Sequence, residues 1–258
     1  MTQGTVSGLS AMRQIASMSL RRARRGRMLW LSVAILALMV GSAVVSLVSG
    51  RGGLDFFDGM LDLMLRYLAP LVMLLHGASA VSEEVQARTI TYLFSRPIPR
   101  WSLPMGKFGA AVVLGLVLLL TAAAATYFIT MIGEPGALLP ELGSLWRGLL
   151  AAALAVLLFG ALATAFGTMV TGYSFVAALF YLLIVEVGLA LAPGWLKVVA
   201  MTVHLRVVAG LYHPSTTLYM ADPKLDPTIS VAVLLTVTLL WLGVALTWVS
   251  SSEYRTDK

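Results

Sequence analysis

Apolar residues run along this chain in long blocks separated by short polar joints. The first block, residues 28–49 (MLWLSVAILALMVGSAVVSLVS), makes a helix of about 33 Å at 1.5 Å per residue, enough to cross the hydrocarbon of a bilayer. Five more blocks follow, at roughly 59–82, 105–132, 145–170, 175–192 and 229–250. The third is longer than a bilayer requires, so it is expected to tilt or to project from the membrane. No block shows the strict alternation of a membrane β-barrel strand, so the blocks read as helices. The pattern predicts an all-α integral membrane protein with six transmembrane helices in a single transmembrane domain, 1–258. Small residues four apart (Ala37 and Gly41, Ala111 and Gly115, Gly160 and Thr164, Ala163 and Gly167) permit close helix contacts.

The joints are as informative as the blocks. Residues 7–25 carry Leu9, Met12, Ala16, Leu20 and Ala23 on one helical face and Arg13, Ser17, Arg21 and Arg24 on the other. Such a basic amphipathic helix lies in a membrane interface and also serves as a topogenic charge cluster. The first apolar block begins after six Arg and is too long for a signal peptide, so it reads as a retained span. A tight turn at 171–174 joins the fourth and fifth spans. The loop 193–228 holds an apolar stretch, Trp195 to Tyr212, too short to cross and return. It predicts a short helix dipping into the outer leaflet or capping the bundle, with Pro214, Pro223 and Pro227 keeping the remainder irregular.

Composition agrees with this picture and narrows the chemistry. Of 258 residues, 59% are hydrophobic and only 12% are charged, and there is no Cys, which excludes disulfides and thiolate chemistry. With both termini cytoplasmic, twelve Lys and Arg fall on the inner side and six on the outer, so the positive-inside rule predicts N-in, C-in. The chain is expected in the cytoplasmic (inner) membrane of a prokaryote. The basic charge is thereby explained by topology, and no nucleic-acid motif accompanies it. No P-loop, H-E-x-x-H or G-x-S-x-G pattern occurs, so the chain is expected to be no enzyme and to hold no catalytic, cofactor or metal site. His204 and His213, nine residues apart without a third ligand, make a poor metal site.

Ionisable residues inside apolar blocks are costly and point to function or to interhelical bonding. Glu186 lies in the fifth block and His76 in the inner half of the second; both are candidate substrate-path residues, with a hydrogen bond to a neighbouring helix as the simpler role. Asp62 and Arg66, four apart at the outer end of the second span, can pair on one helix face.

The most distinctive joint is EEVQARTITYLFSRPIPRWSLPMGK, residues 83–107. Ser82 can cap a short helix with Glu83 and Glu84 in its first turn, and Glu84 can pair with Arg88. Pro97 drives Arg96 out of helical geometry and ends the helix. Arg96-Pro97-Ile98-Pro99-Arg100 is then a stiff elbow with a cation at each end. Trp101 suits the interface, and Pro104 is tolerated in the first turn of the third span.

With its basic start, six spans and this loop, the sequence resembles the permease subunit of an ABC exporter in the type-2 membrane-domain family. The resemblance rests on Glu84, Arg88, Thr89, Ile90, Tyr92, Leu93, Phe94, Ser95, Arg96, Pro97, Ile98, Arg100, Gly106 and Lys107. Many members carry Arg-Gly-Thr where this chain has Ala87-Arg88-Thr89. The resemblance implies an elbow helix at 7–25 and a coupling loop at 83–100. Glu83, Glu84, Arg88, Thr89, Tyr92, Leu93, Arg96, Pro97, Pro99 and Arg100 would contact a separate ATP-binding cassette subunit. Thr171, Gly172 and Tyr173 would make a second, smaller cytoplasmic contact. ATP and Mg would be bound by that partner, and a second permease chain, identical or not, would pack alongside in the lipid. Two other functions fit the pattern: a non-transporting membrane subunit of an ATPase-driven complex, and an intramembrane enzyme built on Glu186 and the outer-loop His residues.

Overall fold

The computed structural model describes residues 8–78, 99–170, 172–192, 194–214 and 223–251, and among these every regular element is helical. An amphipathic helix, α1 (Gly8–Arg25), is followed at Gly26, whose backbone is extended, by α2 (Arg27–Val48). The long helix α3 (Leu54–Gly77) comes next, then α4 (Ser102–Met131) and α5 (Leu142–Met169). A shorter apolar helix, α6 (Ser174–Gly188), leads through a 3-10 turn (Gly194–Val199) into α7 (Met201–Ala209) and then α8 (Pro227–Ser251).

Among the described residues five helices are long and apolar enough to cross a membrane: α2, α3, α4, α5 and α8. The expected fifth span is the exception, since α6 has a regular helix only over Ser174–Gly188 where the sequence suggested 175–192. Other departures are at the ends. Helix α3 begins at Leu54 rather than 59, so Asp62 and Arg66 sit more than two turns into the helix, not at its end. The outer-loop helix is broken at Ala200, whose ψ of 119° is extended, instead of running unbroken from Trp195. Pro227 opens α8, where its missing N–H costs nothing, rather than prolonging the loop.

Helix α5 is the hub. In its most apolar stretch 72% of the residues are buried, against 28% for α2 and 22% for α8. It packs on α3, α4, α6, α7 and α8. Without a hydrophobic drive between helices in lipid, such packing depends on close approach through small residues. A Cβ on Gly167 would lie 2.7 Å from the Ala78 carbonyl oxygen, and one on Gly77 would lie 2.7 Å from the Ala163 Cβ. The α3–α5 crossing therefore requires those glycines. In contrast, a Cβ on Gly41 meets nothing among the described residues, so the Ala37–Gly41 pair on α2 makes no close helix contact there. Larger groups fill the wider gaps: the Phe166, Tyr181 and Trp241 rings pack in tilted and edge-to-face contacts where α5, α6 and α8 meet.

The antiparallel helices define two ends. One carries α1, laid against the start of α4; the other carries the α4–α5 connection and α7. At the second end Tyr127, fully buried, donates from its hydroxyl to the Leu138 carbonyl at 2.7 Å and pins that connection.

Candidate functional site

Helix α7 has nine residues, too few to cross a membrane, and polar contacts hold it to three neighbouring helices. Ala200 precedes its first turn and offers no side-chain cap, which leaves amide donors orphaned. Glu186 of α6 supplies the missing acceptor: its Oε2 accepts from the Thr202 N–H at 2.9 Å. The Thr202 hydroxyl in turn donates to the Glu186 carbonyl oxygen at 3.3 Å. A carboxylate at a helix N-terminus is electrostatically favoured, and here only 1% of the residue is exposed.

At the other end of α7, Arg206 Nε donates to Asp62 Oδ1 at 2.5 Å, and its Nη2 donates to the Leu211 carbonyl at 3.2 Å. Asp62 Oδ2 lies 2.7 Å from Arg66 Nε, one turn further along α3. That second contact is a charge contact without hydrogen-bond alignment, because Arg66 Nε has no hydrogen-bond partner. Asp62 thus sits between two guanidinium groups. Gly210, with φ of 79°, ends α7 in the left-handed region and lies against the Arg147 side chain of α5.

The third tie is His204. Its Nε2 is 3.0 Å from the Val198 carbonyl and its Nδ1 is 3.1 Å from Ser230 Oγ on α8. A carbonyl can only accept, so Nε2 carries the proton and Nδ1 accepts from the serine hydroxyl. Both ring nitrogens are therefore engaged. Among the described residues no group of three or more His, Cys, Asp and Glu could hold a metal ion.

Two irregularities in the helices converge on this region. Helix α3 contains a π-turn at Met64–Leu68, and α6 contains another at Leu182–Gly188. The first has a sequence cause: Pro70 has no N–H for the Arg66 carbonyl and its ring crowds that oxygen. The second coincides with the Thr202 hydroxyl bonding to the Glu186 carbonyl, a side chain inserted in the helical ladder. Arg66 and Tyr67 from the first turn and Glu186 and Val187 from the second line one small crevice, which Thr202 completes.

The α1 end is built differently, by fit. The Trp101 ring lies against Gly8, where a Cβ would come within 2.6 Å of it. At Gly106 a Cβ would stand 2.9 Å from both the Ile15 side chain and the Met12 carbonyl oxygen. So α1 and the start of α4 touch backbone to backbone. Ser102 Oγ donates to the Pro99 carbonyl at 2.7 Å, and Arg100 Nη1 reaches the Ser250 carbonyl of α8 at 3.5 Å.

Of the residues expected to meet an ATP-binding subunit, Pro99 and Arg100 are in this anchored segment. Glu83, Glu84, Arg88, Thr89, Tyr92, Leu93, Arg96 and Pro97 lie outside the described residues, as does Thr171. Gly172 has open space around it, and Tyr173, just before α6, is 78% exposed at the same end of the bundle. The two substrate-path candidates are far apart in kind. His76 Nε2 is 3.1 Å from Ser32 Oγ, an interhelical bond between α3 and α2, whereas Glu186 belongs to the α7 cluster. Sequence reasoning missed Arg206 and Thr202, which are ordinary residues for a loop, and missed the π-turns, although Pro70 inside a 24-residue helix was a usable signal.

The described residues thus form a bundle of apolar helices with a short polar-tethered helix, α7, at one end. The family model described as ABC-2 family transporter protein matches residues 20–187, and the chain belongs to that family. It is an ABC transporter permease, integral to a membrane. Comparison with curated proteins gives no significant match.

Proposed function

We propose that this chain is the permease subunit of an ATP-driven exporter, that it forms the substrate path, and that it receives motion from a separate ATP-binding subunit. The α1 end faces the cytoplasm of a prokaryotic cell, both termini are there, and α6 with its flanking residues completes a sixth span. The observation that carries this reading is the tight seat of α1 on the start of α4, at Gly8–Trp101 and Gly106–Ile15, directly after the 83–100 loop. A push on the loop at Pro99 and Arg100 reaches α1, α4 and the end of α8 with little slack. In the family reading, ATP and Mg stay with the partner, a second permease chain packs alongside, and Tyr173 makes the minor cytoplasmic contact. The basic concave surface of Arg21, Arg22, Arg24 and Arg25 suits anionic headgroups of the inner leaflet.

The test replaces the loop's stiffness and charge. Glu84→Lys, or Pro97 and Pro99 both to Gly, should leave the chain inserted with its ATPase partner hydrolysing ATP, but transport should fall at least tenfold. Unchanged transport in both variants defeats the coupling assignment. Failure of any P-loop subunit to co-purify would defeat the permease-with-partner assignment itself. A non-transporting complex would show ATP hydrolysis sensitive to these substitutions with no movement of any solute.

A further inference from the structure

Asp62 is approached from both sides by a guanidinium Nε, that of Arg206 at Oδ1 and that of Arg66 at Oδ2. Arg206 then gives its Nη2 to the Leu211 carbonyl. Arg66 makes no hydrogen bond from either Nη to a described residue. Nor are those two nitrogens buried. Among the described residues the buried polar side-chain atoms without a partner are Thr126 Oγ1, Glu186 Oε1 and Arg66 Nε, and neither Nη of Arg66 is one of them. Asp62 therefore holds Arg66 by its inner nitrogen and leaves the Nη1–Nη2 edge accessible, with 27% of the side chain exposed. That edge is the planar fork that matches a carboxylate or phosphate with two parallel bonds.

Its depth makes the fork informative. Arg66 is about 17 Å from either end of α3 at the helical rise, close to the middle of the span. An accessible guanidinium there is costly against hydrocarbon, so it faces a polar path or a partner. Asp62 is the one acid paired with Arg66 and Arg206 among the described residues, so the trio keeps one net positive charge. Glu186 does not cancel it by contact: its Oε2 accepts from Thr202 and its Oε1 is buried. A second copy of the chain, inserted in the same orientation, does not supply the missing anion. At this depth it brings only Asp62 and Glu186, which are already engaged; Asp55 and Asp58 lie in the first two turns of α3, and the other acids fall outside the spans. The neighbours of Arg66 are apolar or aromatic at the surface. Tyr67, 48% exposed, and Leu191, 73% exposed, line the same crevice.

We propose that Arg66 receives the anionic head of an apolar transported compound, its Nη1–Nη2 edge donating to two oxygens of a carboxylate or phosphate while the apolar body lies against Tyr67 and Leu191. Asp62 is a positioning residue that fixes the fork through Nε. The word transported rests on the permease reading; the binding itself requires no ATPase.

The experiment uses the full-length chain, with whatever subunit accompanies it, in phosphatidylcholine nanodiscs. The probe is a fatty acid carrying a diazirine in its chain, and the competitors are dodecanoate, dodecyl phosphate, 1-dodecanol and dodecylamine. Labelling is expected at Tyr67 or Leu191. Both anions should compete at concentrations about tenfold or more below the alcohol and the amine, as charge-assisted bonds require, and the stronger anion names the head group. Arg66→Gln removes the charge, and the preference for anions should fall to within about twofold. Arg66→Lys keeps the charge on Asp62 and loses the fork, so its preference should drop by about threefold or more, and this variant decides the matter if Arg66→Gln does not assemble. Equal competition by dodecanoate and dodecanol in the unaltered chain overturns the proposal and leaves Arg66 to a neighbouring subunit. An unchanged preference in both variants overturns it too, because the anion is then bound elsewhere, as at Arg21, Arg22, Arg24 and Arg25. Selective labelling in a preparation without any ATP-binding subunit keeps the anion site and defeats the permease reading. Unselective labelling beside a subunit that hydrolyses ATP keeps that reading and overturns the site.

Discussion

The two ends of the bundle are held by opposite means. At the α1 end, contact is steric: glycines bring backbones together, and the Trp101 ring closes on Gly8. At the α7 end, contact is polar and directional: Glu186 to Thr202, Asp62 to Arg206, His204 to Ser230. Close-packed surfaces resist compression and transmit displacement, while a few hydrogen bonds and ion pairs can be exchanged for others at modest cost. The difference teaches that one end resists deformation while the other can exchange its contacts; under the proposed coupling, the first would carry motion and the second would be unlatched.

The strongest challenge to this contrast is Gly106→Val. The added methyls meet the Met12 carbonyl oxygen, which side-chain repacking cannot move, so a loss near the upper end of overpacking costs, about 3 kcal/mol, is expected. Because the chain has no Cys, Ala11→Cys gives a single thiol, buried at 4% exposure. Its labelling by a polar maleimide should rise at least tenfold when Gly106→Val is added. Unchanged labelling would mean that α1 is not seated by this contact.

Next in size is Asp62→Ala, which leaves two guanidinium groups facing each other. Side-chain exposures of 21% and 27% place the Arg206 pair between surface and buried behaviour, so about 2 kcal/mol is expected. A double-mutant cycle with Arg206→Ala, read by denaturant unfolding in detergent, should return a coupling of about 1–2 kcal/mol. Strict additivity would show that the pair does not hold α7. His204→Asn and Ser230→Ala should each cost about 1 kcal/mol, the value of a neutral hydrogen bond, and together hardly more than either alone. Full additivity would detach His204 from α8.

The smallest effect is expected at Asp226, which caps α8. Its Oδ1 accepts from the Ile229 N–H at 3.3 Å and from the Thr228 N–H at 2.7 Å, and these bonds hold its carboxyl below the ordinary value of 3.8. A depressed folded value means the cap's contribution is complete above the ordinary value and is lost as pH falls through the lowered one. The cap's contribution should be flat above about pH 5 and decline below about pH 4, and Asp226→Asn should remove that decline. An identical acid limb in the variant would clear Asp226 of the role.

Most of the bundle was legible because a span leaves about twenty apolar residues in a row, a signal that no neighbour needs to confirm. Boundaries were less legible where charge entered the helix. Asp55 and Asp58 made the start of α3 look like loop, and Asp62, read as lying at the outer end of the span, is compensated by Arg66 and Arg206. Glu186 was noticed because an acid in an apolar run is rare. Its meaning was not, since Thr202 comes from a different element and Arg206 meets Asp62 across 144 residues. The amphipathic face of α1 could be read from spacing alone, but its seat depends on Gly106, which the loop motif singled out without pointing to a contact with α1.

The paired π-turns have a mechanical consequence. A π-turn carries one residue more than the α-helical turn it replaces, and each residue of an α-helix subtends about 100°. Letting that surplus residue migrate along α3 or α6 would rotate the segment it passes by about that angle with few hydrogen bonds lost. The two turns face each other across one crevice. Under the proposed coupling they would act as a pair of swivels, through which a small axial thrust from one end would become a twist at the other.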